Sequence, residues 1–361
     1  MRTPLCDRLG IEHPIVGFTP SEHVAAAISR AGGLGVLGCV RFNDPDELAT
    51  TLDWLDDNTD GRPYGVDIVM PAAVPTEGSA ADLDKLIPPE HRAFVASTLE
   101  RLGVPKLPAS DTAGVLGWLH SVARSHVDIA LAHPIALIAN ALGSPPPDVI
   151  EQAHAHGVPV AALAGKAEHA RRHVANGVDI VVAQGYEAGG HTGEIATMVL
   201  VPEIVDAVDV PVLAAGGIGS GRQVAASLAL GAAGVWTGSI WLTTAEYQLG
   251  IGTATQRALL AATSSDTVRS RVYSGKPARL LRTKWTDAWA APEAPAPLPM
   301  PLQNILVGEA HRRIAASDDP SVVAMPVGQI VGRMNEIRTV ADVMADLVAE
   351  FDRTVDRLAA R

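Results

Sequence analysis

The apolar positions of this chain fall into short, nearly continuous runs that alternate with longer amphipathic segments. Eight such runs, bounded by glycine, proline or polar residues, lie at residues 14–17, 35–40, 64–70, 135–140, 158–164, 179–184, 210–215 and 234–238. Their Val, Ile, Leu and Ala content without polar alternation is typical of parallel strands covered on both faces. Apolar residues at helical spacing mark the intervening segments, among them 21–31, 45–57, 146–156, 166–176, 198–208 and 222–230. The pattern therefore predicts strands and helices in regular alternation.

Eight strand–helix units favour an α/β fold of the (β/α)₈ TIM-barrel type, with a doubly wound open sheet as the alternative. Residues 71–130 are too long for one loop and one helix. We predict that they form an insertion after the third strand, partly covering the barrel mouth, with helices at 90–102 and 112–131. The strand–helix alternation stops at about residue 247. We therefore predict a barrel over residues 1–246 and a helical lid or subdomain over residues 247–361.

Composition and charge narrow the class of protein. A hydrophobic content of 47% and a charged content of 19% supply a large core and argue against disorder. The net charge of −12 argues against a nucleic-acid partner. No apolar run approaches the roughly 20 residues that span a bilayer, and the N-terminus lacks a signal-peptide pattern. With only Cys6 and Cys39, no disulfide framework is indicated, so we predict a cytoplasmic protein; a homodimer stays open.

Glycine-containing turns follow the last three predicted strands. Residues 183–193 read Ala-Gln-Gly-Tyr-Glu-Ala-Gly-Gly-His-Thr-Gly, residues 216–219 read Gly-Gly-Ile-Gly, and residues 238–239 read Gly-Ser. In TIM barrels the active site lies at the carboxyl ends of the strands, and phosphate often binds at the loops after strands seven and eight. Backbone N–H groups of such loops, with the start of the next helix, favour a dianion. The sequence therefore predicts an enzyme with a phosphorylated cofactor and His191 as an acid/base group beside it.

These motifs resemble those of a known family. The Glu-Ala-Gly-Gly-His sequence at residues 187–191, Leu-Ala-Ala-Gly-Gly-Ile at 213–218 and Gly-Leu-Gly-Val-Leu-Gly at 33–38 are similar to the nitronate monooxygenase (2-nitropropane dioxygenase) family. Its members are FMN-dependent barrels that include flavin-type enoyl-acyl-carrier-protein reductases and related enoyl-CoA reductases. The resemblance covers roughly residues 1–247, and it is specific for the family but not for one reaction within it.

The resemblance implies that FMN lies across the strand ends. It implies that Gln184 hydrogen-bonds the flavin and that glycines of the sixth-strand loop let the backbone approach it. It implies that the phosphate is held by the loops after the seventh and eighth strands. Besides Asp67, the implied cofactor residues are Gln184, Gly189, Gly190, Gly216, Gly217, Trp236, Thr237, Gly238 and Ser239.

Two of the departures from the family pattern bear directly on the chemistry. The third strand reads Gly-Val-Asp, ending at Asp67, where the family usually has Asn. An ionised carboxylate accepts hydrogen bonds but cannot donate them, so Asp67 must accept from ring or ribityl donors or be protonated. Many nitronate monooxygenases carry a histidine at the end of the fourth strand, where this chain has Ala141. The enoyl reductases of the family lack that histidine and rely on the one that corresponds to His191.

These features leave three functional hypotheses. His191 would transfer a proton while flavin N5 passes hydride, although a purely structural role in the loop is the alternative. The first hypothesis is oxidation of alkyl nitronates with O₂, and the second is NAD(P)H-dependent reduction of an enoyl thioester or another conjugated carbonyl. The third is a non-catalytic protein that binds a phosphorylated ligand. His169 and His173 have a helical metal-binding spacing but lack a third ligand, so no metal site is predicted.

Overall fold

The computed structural model describes residues 1–70, 83–107, 120–249 and 253–360. The strands are β1 (Ile15–Thr19), β2 (Leu34–Gly38), β3 (Tyr64–Asp67), β4 (Leu137–Asn140), β5 (Val160–Ala164), β6 (Ile180–Gln184), β7 (Gly190–His191), β8 (Val212–Ala215), β9 (Gly234–Thr237), β10 (Thr267–Ser270) and β11 (Ala278–Leu281). A closed parallel barrel is formed in the order β1-β2-β3-β4-β5-β6-β8-β9. Because β9 pairs with β1, with Trp236 opposite Val16, the sheet has no open edge. The predicted (β/α)₈ barrel is confirmed, and the open-sheet alternative is wrong.

Helices surround this barrel. They are α1 (Pro4–Leu9), α2 (Glu22–Arg30), α3 (Pro45–Asn58), α4 (Pro89–Arg101), α5 (His120–Leu131), α6 (Pro147–Ala155), α7 (Ala167–Ala175), α8 (Thr197–Val205), α9 (Gly221–Ala229), α10 (Ala254–Ala261), α11 (Lys284–Ala290), α12 (Leu302–Ala315) and α13 (Val340–Ala359). The predicted insertion after β3 contains α4 and α5. The predicted helical residues 112–119 lie outside the described residues.

The barrel interior is packed, and α1 closes one end of it. Val36, Leu137 and Leu213 point inward and are fully buried. Leu5 and Leu9 of α1 belong to the same buried cluster and cover the amino ends of the strands. A ligand can therefore approach the barrel only from the carboxyl ends, where the glycine-containing turns lie.

The segment after residue 247 contains the strands β10 and β11 in addition to helices. Strands β10 and β11 form an antiparallel hairpin, and β11 pairs in turn with β7. In this register Ala278 lies opposite His191 and Arg279 lies opposite Gly190. The C-terminal segment is thus joined by backbone hydrogen bonds to the loop that carries the predicted catalytic histidine.

The C-terminal helix also packs on the barrel. Helix α13 contacts α9 and α2. Val340, Met344 and Leu347 of α13 are buried in the same cluster as Val24 and Val224 of those two helices. The two ends of the chain therefore share one core. Among the described helices, none has the length and apolar character needed to cross a membrane.

Candidate active site

A cavity of about 960 Å³ opens at the carboxyl ends of the barrel strands. The structure brings together there every residue predicted for the site, namely Asp67, Gln184, Gly189, Gly190, His191, Gly216, Gly217, Trp236, Thr237, Gly238 and Ser239. The C-terminal segment supplies a roof, which includes Tyr273, Ser274, Asn304 and His311. The floor thus comes from the barrel and the roof from the residues that follow it.

Several polar groups of the floor have no hydrogen-bond partner within the described part of the chain. Neither the Asp67 carboxyl nor the Gln184 side-chain amide makes a protein hydrogen bond there. The backbone N–H groups of Gly217, Ile218 and Ser239 have no protein acceptor there either. Because polar groups in native proteins are nearly always paired, a convergent set without partners indicates a ligand that supplies them.

The loop after β8 supplies donors for an anion. Gly216 and Gly217 have φ angles of +104° and +69°, which favour glycine over any other residue. The start of α9 is already capped, because Glu350 of α13 accepts a 2.9 Å hydrogen bond from the Gly221 N–H. The Gly217 and Ile218 N–H groups of this loop line the cavity and have no acceptor among the described residues. An anion would therefore bind on the loop, whereas the sequence pointed to the helix start as well.

Two predicted residues are also required by the fold. The Thr237 hydroxyl donates to the Val16 carbonyl and accepts from Trp241 Nε1, both at 3.0 Å. At Gly189 an added Cβ would lie 2.6 Å from the Gly328 nitrogen, so glycine there lets the C-terminal segment pack closely. Any contact of these two residues with a ligand would therefore involve their backbone.

His191 is held in one orientation by the roof. Its Nε2 lies 2.6 Å from Ser274 Oγ, which also accepts from the Lys276 backbone N–H at 3.3 Å. A neutral ring that accepts the Ser274 proton at Nε2 carries its own proton on Nδ1. Burial, and then the charge of Lys276, lowers the pKa of His191 to about 4. The imidazole is therefore neutral at neutral pH.

Asp67 is the second titratable group of the floor. It ends β3, and only 3% of its surface is exposed. Burial in surroundings of low polarity raises the pKa of Asp67 to about 7, because the ionised form has lost its hydration without gaining a partner. This carboxyl can therefore carry or release a proton at neutral pH.

Sequence reasoning missed Arg279, which holds the loop that precedes His191. Its side chain is 2% exposed and donates from Nε and Nη2 to the Tyr186 carbonyl at 3.1 and 3.0 Å. Its guanidinium carbon lies 4.4 Å from the centre of the Tyr186 ring. The basic residues around position 279 were visible in the sequence. Their spacing does not reveal that one of them is buried without a carboxylate partner.

Sequence reasoning also missed the aromatic part of the roof. The rings of Tyr273 and His311 stack with centroids 5.1 Å apart. Burial lowers the pKa of His311 to about 4 and raises that of Tyr273. Within the described residues the His311 Nε2 has no partner. No motif marks these positions, because they meet only when the hairpin and α12 are folded.

Other histidines are engaged by the protein itself. Asp53, Asp56 and His133 bring three potential ligand atoms within 4.8 Å of one another, but His133 and Asp56 already share a 2.7 Å hydrogen bond. His173, which has metal-binding spacing to His169, is buried, with both ring nitrogens hydrogen-bonded. These contacts account for the two clusters as parts of the fold.

A TIM barrel with unpaired backbone N–H groups in the loop after its seventh barrel strand, and an imidazole in the loop after its sixth, has the framework of a cofactor-dependent barrel enzyme. Comparison with known proteins identifies the protein family. The chain belongs to the nitronate monooxygenase family, whose sequence profile matches residues 2–350, and it is therefore an oxidoreductase. This family is typically flavin-dependent.

Individual relatives cover almost the whole chain. A Mycobacterium tuberculosis protein, provisionally named a monooxygenase, is 51% identical over 99% of this chain and 98% of its own length. The 5-hydroxy-7a-methyl-1-oxo-octahydro-1H-indene-4-carboxyl-CoA dehydrogenase of Rhodococcus jostii is 28% identical over 100% of this chain and 98% of its own. The nitroalkane oxidase of Streptomyces ansochromogenes superposes with a TM-score of 0.81 at 28% identity, covering 98% of this chain and 99% of that one. FabK from Thermotoga maritima superposes with a TM-score of 0.76 at 29% identity, covering 100% and 99%.

Proposed function

We propose that this protein is an FMN-dependent oxidoreductase that exchanges hydride with a conjugated acyl substrate, with His191 as the proton-transferring residue. The observation that carries this proposal is the set of unpartnered polar groups that converge on one cavity at the strand ends. A cavity of about 960 Å³ is at the upper end of the roughly 300–1,000 Å³ range of ligand sites, which suits a cofactor together with a substrate.

The residues of the floor fit a flavin mononucleotide. The Gly217, Ile218 and Ser239 N–H groups offer the donors that a phosphate dianion requires. The Gln184 amide can donate and accept toward a ring edge, and Asp67 can accept from a ring or ribityl donor. When bound, FMN would supply a two-electron centre that takes and returns hydride.

His191 would act as a neutral donor. With its proton on Nδ1 and Nε2 held by Ser274, the ring presents one N–H to the cavity. Such a group can hydrogen-bond a substrate carbonyl. Delivery of a proton to carbon would pass through the imidazolium form, which a pKa lowered to about 4 makes a strong acid that returns to the neutral ring when it loses that proton. Residues 247–361, whose side chains form the roof, would serve as the lid that excludes water from the bound substrate.

The substrate class follows from the cavity wall. Ala141 lines the cavity where the family pattern of nitronate oxidation expects a histidine, so that reaction would lack one of its usual groups. The named activity of the Rhodococcus relative, on a bicyclic carboxyl-CoA thioester, supports an acyl thioester of comparable bulk. NAD(P)H would then be the co-substrate of an enoyl-type reduction. Oxidation of alkyl nitronates with O₂ is the second candidate, and the close superposition on a nitroalkane oxidase favours it.

Anaerobic stopped-flow absorbance near the visible flavin band tests the proposal. The purified yellow protein is mixed in separate shots with NADH, NADPH and an alkyl nitronate, and the reduced form is then mixed with a 2-enoyl-CoA. We expect rapid bleaching by a nicotinamide and rapid return of colour with the enoyl-CoA. Bleaching by nitronate alone would make nitronate oxidation the function. A colourless protein that binds no added FMN would contradict both oxidoreductase proposals and leave a non-catalytic binder.

A further inference from the structure

Asp67 differs from the other acidic side chains of the described residues in its burial. It is the only carboxylic acid among them whose side chain is almost completely buried, at 3% exposed. It lines the cavity, and no hydrogen-bond donor or cation among the described residues pairs with it. A buried carboxyl without partners is costly when ionised, so its retention at a cavity points to a ligand that contacts it.

The groups around Asp67 do not compensate its charge. On β2 the residue opposite is Gly38, which has no side chain, and the buried Cys39 thiol next to it has a raised pKa. On the β4 side, the Asn140 amide is used by the backbone of Met70 and of residue 143.

Two titratable groups farther out, Arg41 and His191, do not compensate it either. Arg41 also lines the cavity, but it pairs with Glu22 at 2.7 Å and with Glu47 at 3.7 Å. His191, the remaining titratable group of the floor, is neutral at neutral pH because its pKa is lowered to about 4. The charge of an ionised Asp67 would therefore act directly on whatever binds beside it.

We propose that Asp67 contacts the bound flavin and lowers its reduction potential when the carboxyl is ionised. This inference rests on the proposed function, since it requires a flavin in the cavity. Reduction brings two electrons and one proton to the flavin and leaves a negative charge, which a neighbouring carboxylate of the same sign opposes. The negative charge of the reduced flavin raises the affinity of Asp67 for a proton. In the pH range in which this protonates the carboxylate, Asp67 takes up a second proton, and two protons accompany the two electrons.

The ionisation of Asp67 sets the pH range of the effect. Because burial raises its pKa to about 7, the group is neutral at pH 5.5 and ionised at pH 9. At pH 5.5 the side chain at position 67 is uncharged in both the wild type and an amide variant. Their reduction equilibrium constants should therefore differ there only by a factor that does not depend on pH. At the higher pH the wild type alone carries the extra charge. The reduction equilibrium of the variant should therefore become more favourable, relative to wild type, as the pH rises.

The test is the reduction equilibrium constant of the holoenzyme from pH 5.5 to 9, measured anaerobically against reference dyes. We expect the ratio of this constant in Asp67→Asn to that in the wild type to increase about tenfold across the range, equal to about 30 mV for a two-electron couple. The matched control is Asp84→Asn, which removes a half-exposed carboxylate from the same cavity, where Arg92 already pairs with it at 2.9 Å. Its ratio should stay constant with pH.

A ratio for Asp67→Asn that does not change with pH overturns the inference. If that variant loses its flavin, Asp67→Ser is measured in its place. The wild type alone gives a further readout, because ionisation of a carboxyl in contact with the ring should shift the visible flavin spectrum with a single transition. A spectrum that is constant from pH 5.5 to 9 also overturns the inference. A wild-type protein that holds no flavin refutes the proposed function instead, so the two failures are distinguishable.

Discussion

At the scale of single residues, the state of the catalytic candidate depends on one neighbour. Ser274 Oγ and His191 Nε2 share a 2.6 Å hydrogen bond, which fixes the orientation of the ring. Removing the hydroxyl leaves the imidazole able to rotate and to change tautomer. In the proposed function the proton donor is therefore the Ser274–His191 pair and not the histidine alone.

We predict that Ser274→Ala lowers kcat about fivefold, since a neutral hydrogen bond contributes on the order of 1 kcal/mol. KM and FMN affinity should change little, because the flavin donors lie on the other loops. Steady-state kinetics and a flavin titration check this. Ser270→Ala is the matched control, as its hydroxyl accepts only from the Val272 N–H of the same hairpin. Equal kcat in Ser274→Ala and wild type would show that Ser274 does not orient His191.

At the scale of elements, the hairpin of β10 and β11 connects the C-terminal segment to the loop that carries His191. Its strand β11 pairs with β7, and Arg279 adds two hydrogen bonds to the carbonyl of Tyr186. The guanidinium is buried, so these contacts are protected from water. Movement of the lid should therefore be transmitted to the loop that carries His191.

We predict that Arg279→Lys lowers the free energy of unfolding by about 2 kcal/mol, because an ammonium group cannot reproduce the planar two-point contact and stays buried. Amide hydrogen exchange of residues 186–193 should accelerate in parallel. Urea unfolding and exchange mass spectrometry measure the two effects. Arg282→Lys, at an exposed arginine of the same segment that pairs with Asp287, should change the stability by less than about 0.5 kcal/mol. Similar losses in both variants would contradict the role assigned to Arg279.

The elements also show what the sequence could predict. The barrel strands are buried, nearly polar-free runs, so the apolar pattern alone locates them. Strand β10 is four half-exposed residues, and its sheet is completed by a two-residue strand far away in the chain. No local pattern encodes that pairing. The site shows the same difference between local and tertiary information. The floor could be predicted, because its glycine turns follow predicted strands. Tyr273 and His311 of the roof could not, because they become neighbours only through tertiary packing.

At the scale of the whole molecule, the site exists only where two parts of the chain meet. The barrel supplies Asp67, Gln184 and the glycine loop after β8, and the C-terminal segment supplies Ser274 and the remaining roof. Helix α13 then returns to cap the start of α9 through Glu350. The sequence boundary near residue 247 marks a change of pattern, but the buried core continues across it.

This continuity predicts that residues 1–246 do not fold alone. Removing α13 would expose the core side of α2 and α9, which Val340, Met344 and Leu347 cover in the full chain. Losing three buried aliphatic side chains costs roughly 2–5 kcal/mol each, comparable in sum to the entire 5–15 kcal/mol stability of a typical domain. We expect the fragment to show no cooperative urea transition by circular dichroism and to aggregate on size exclusion.

A chain that ends at residue 356 is the control for this truncation. It removes only the exposed end of α13, including Leu358, and it keeps the three buried side chains. Its transition should coincide with that of the full chain. A cooperative transition of residues 1–246 at the wild-type midpoint would instead make the barrel an independent domain. The lid would then be an accessory to the barrel, and its contacts with the His191 loop would affect catalysis without affecting folding.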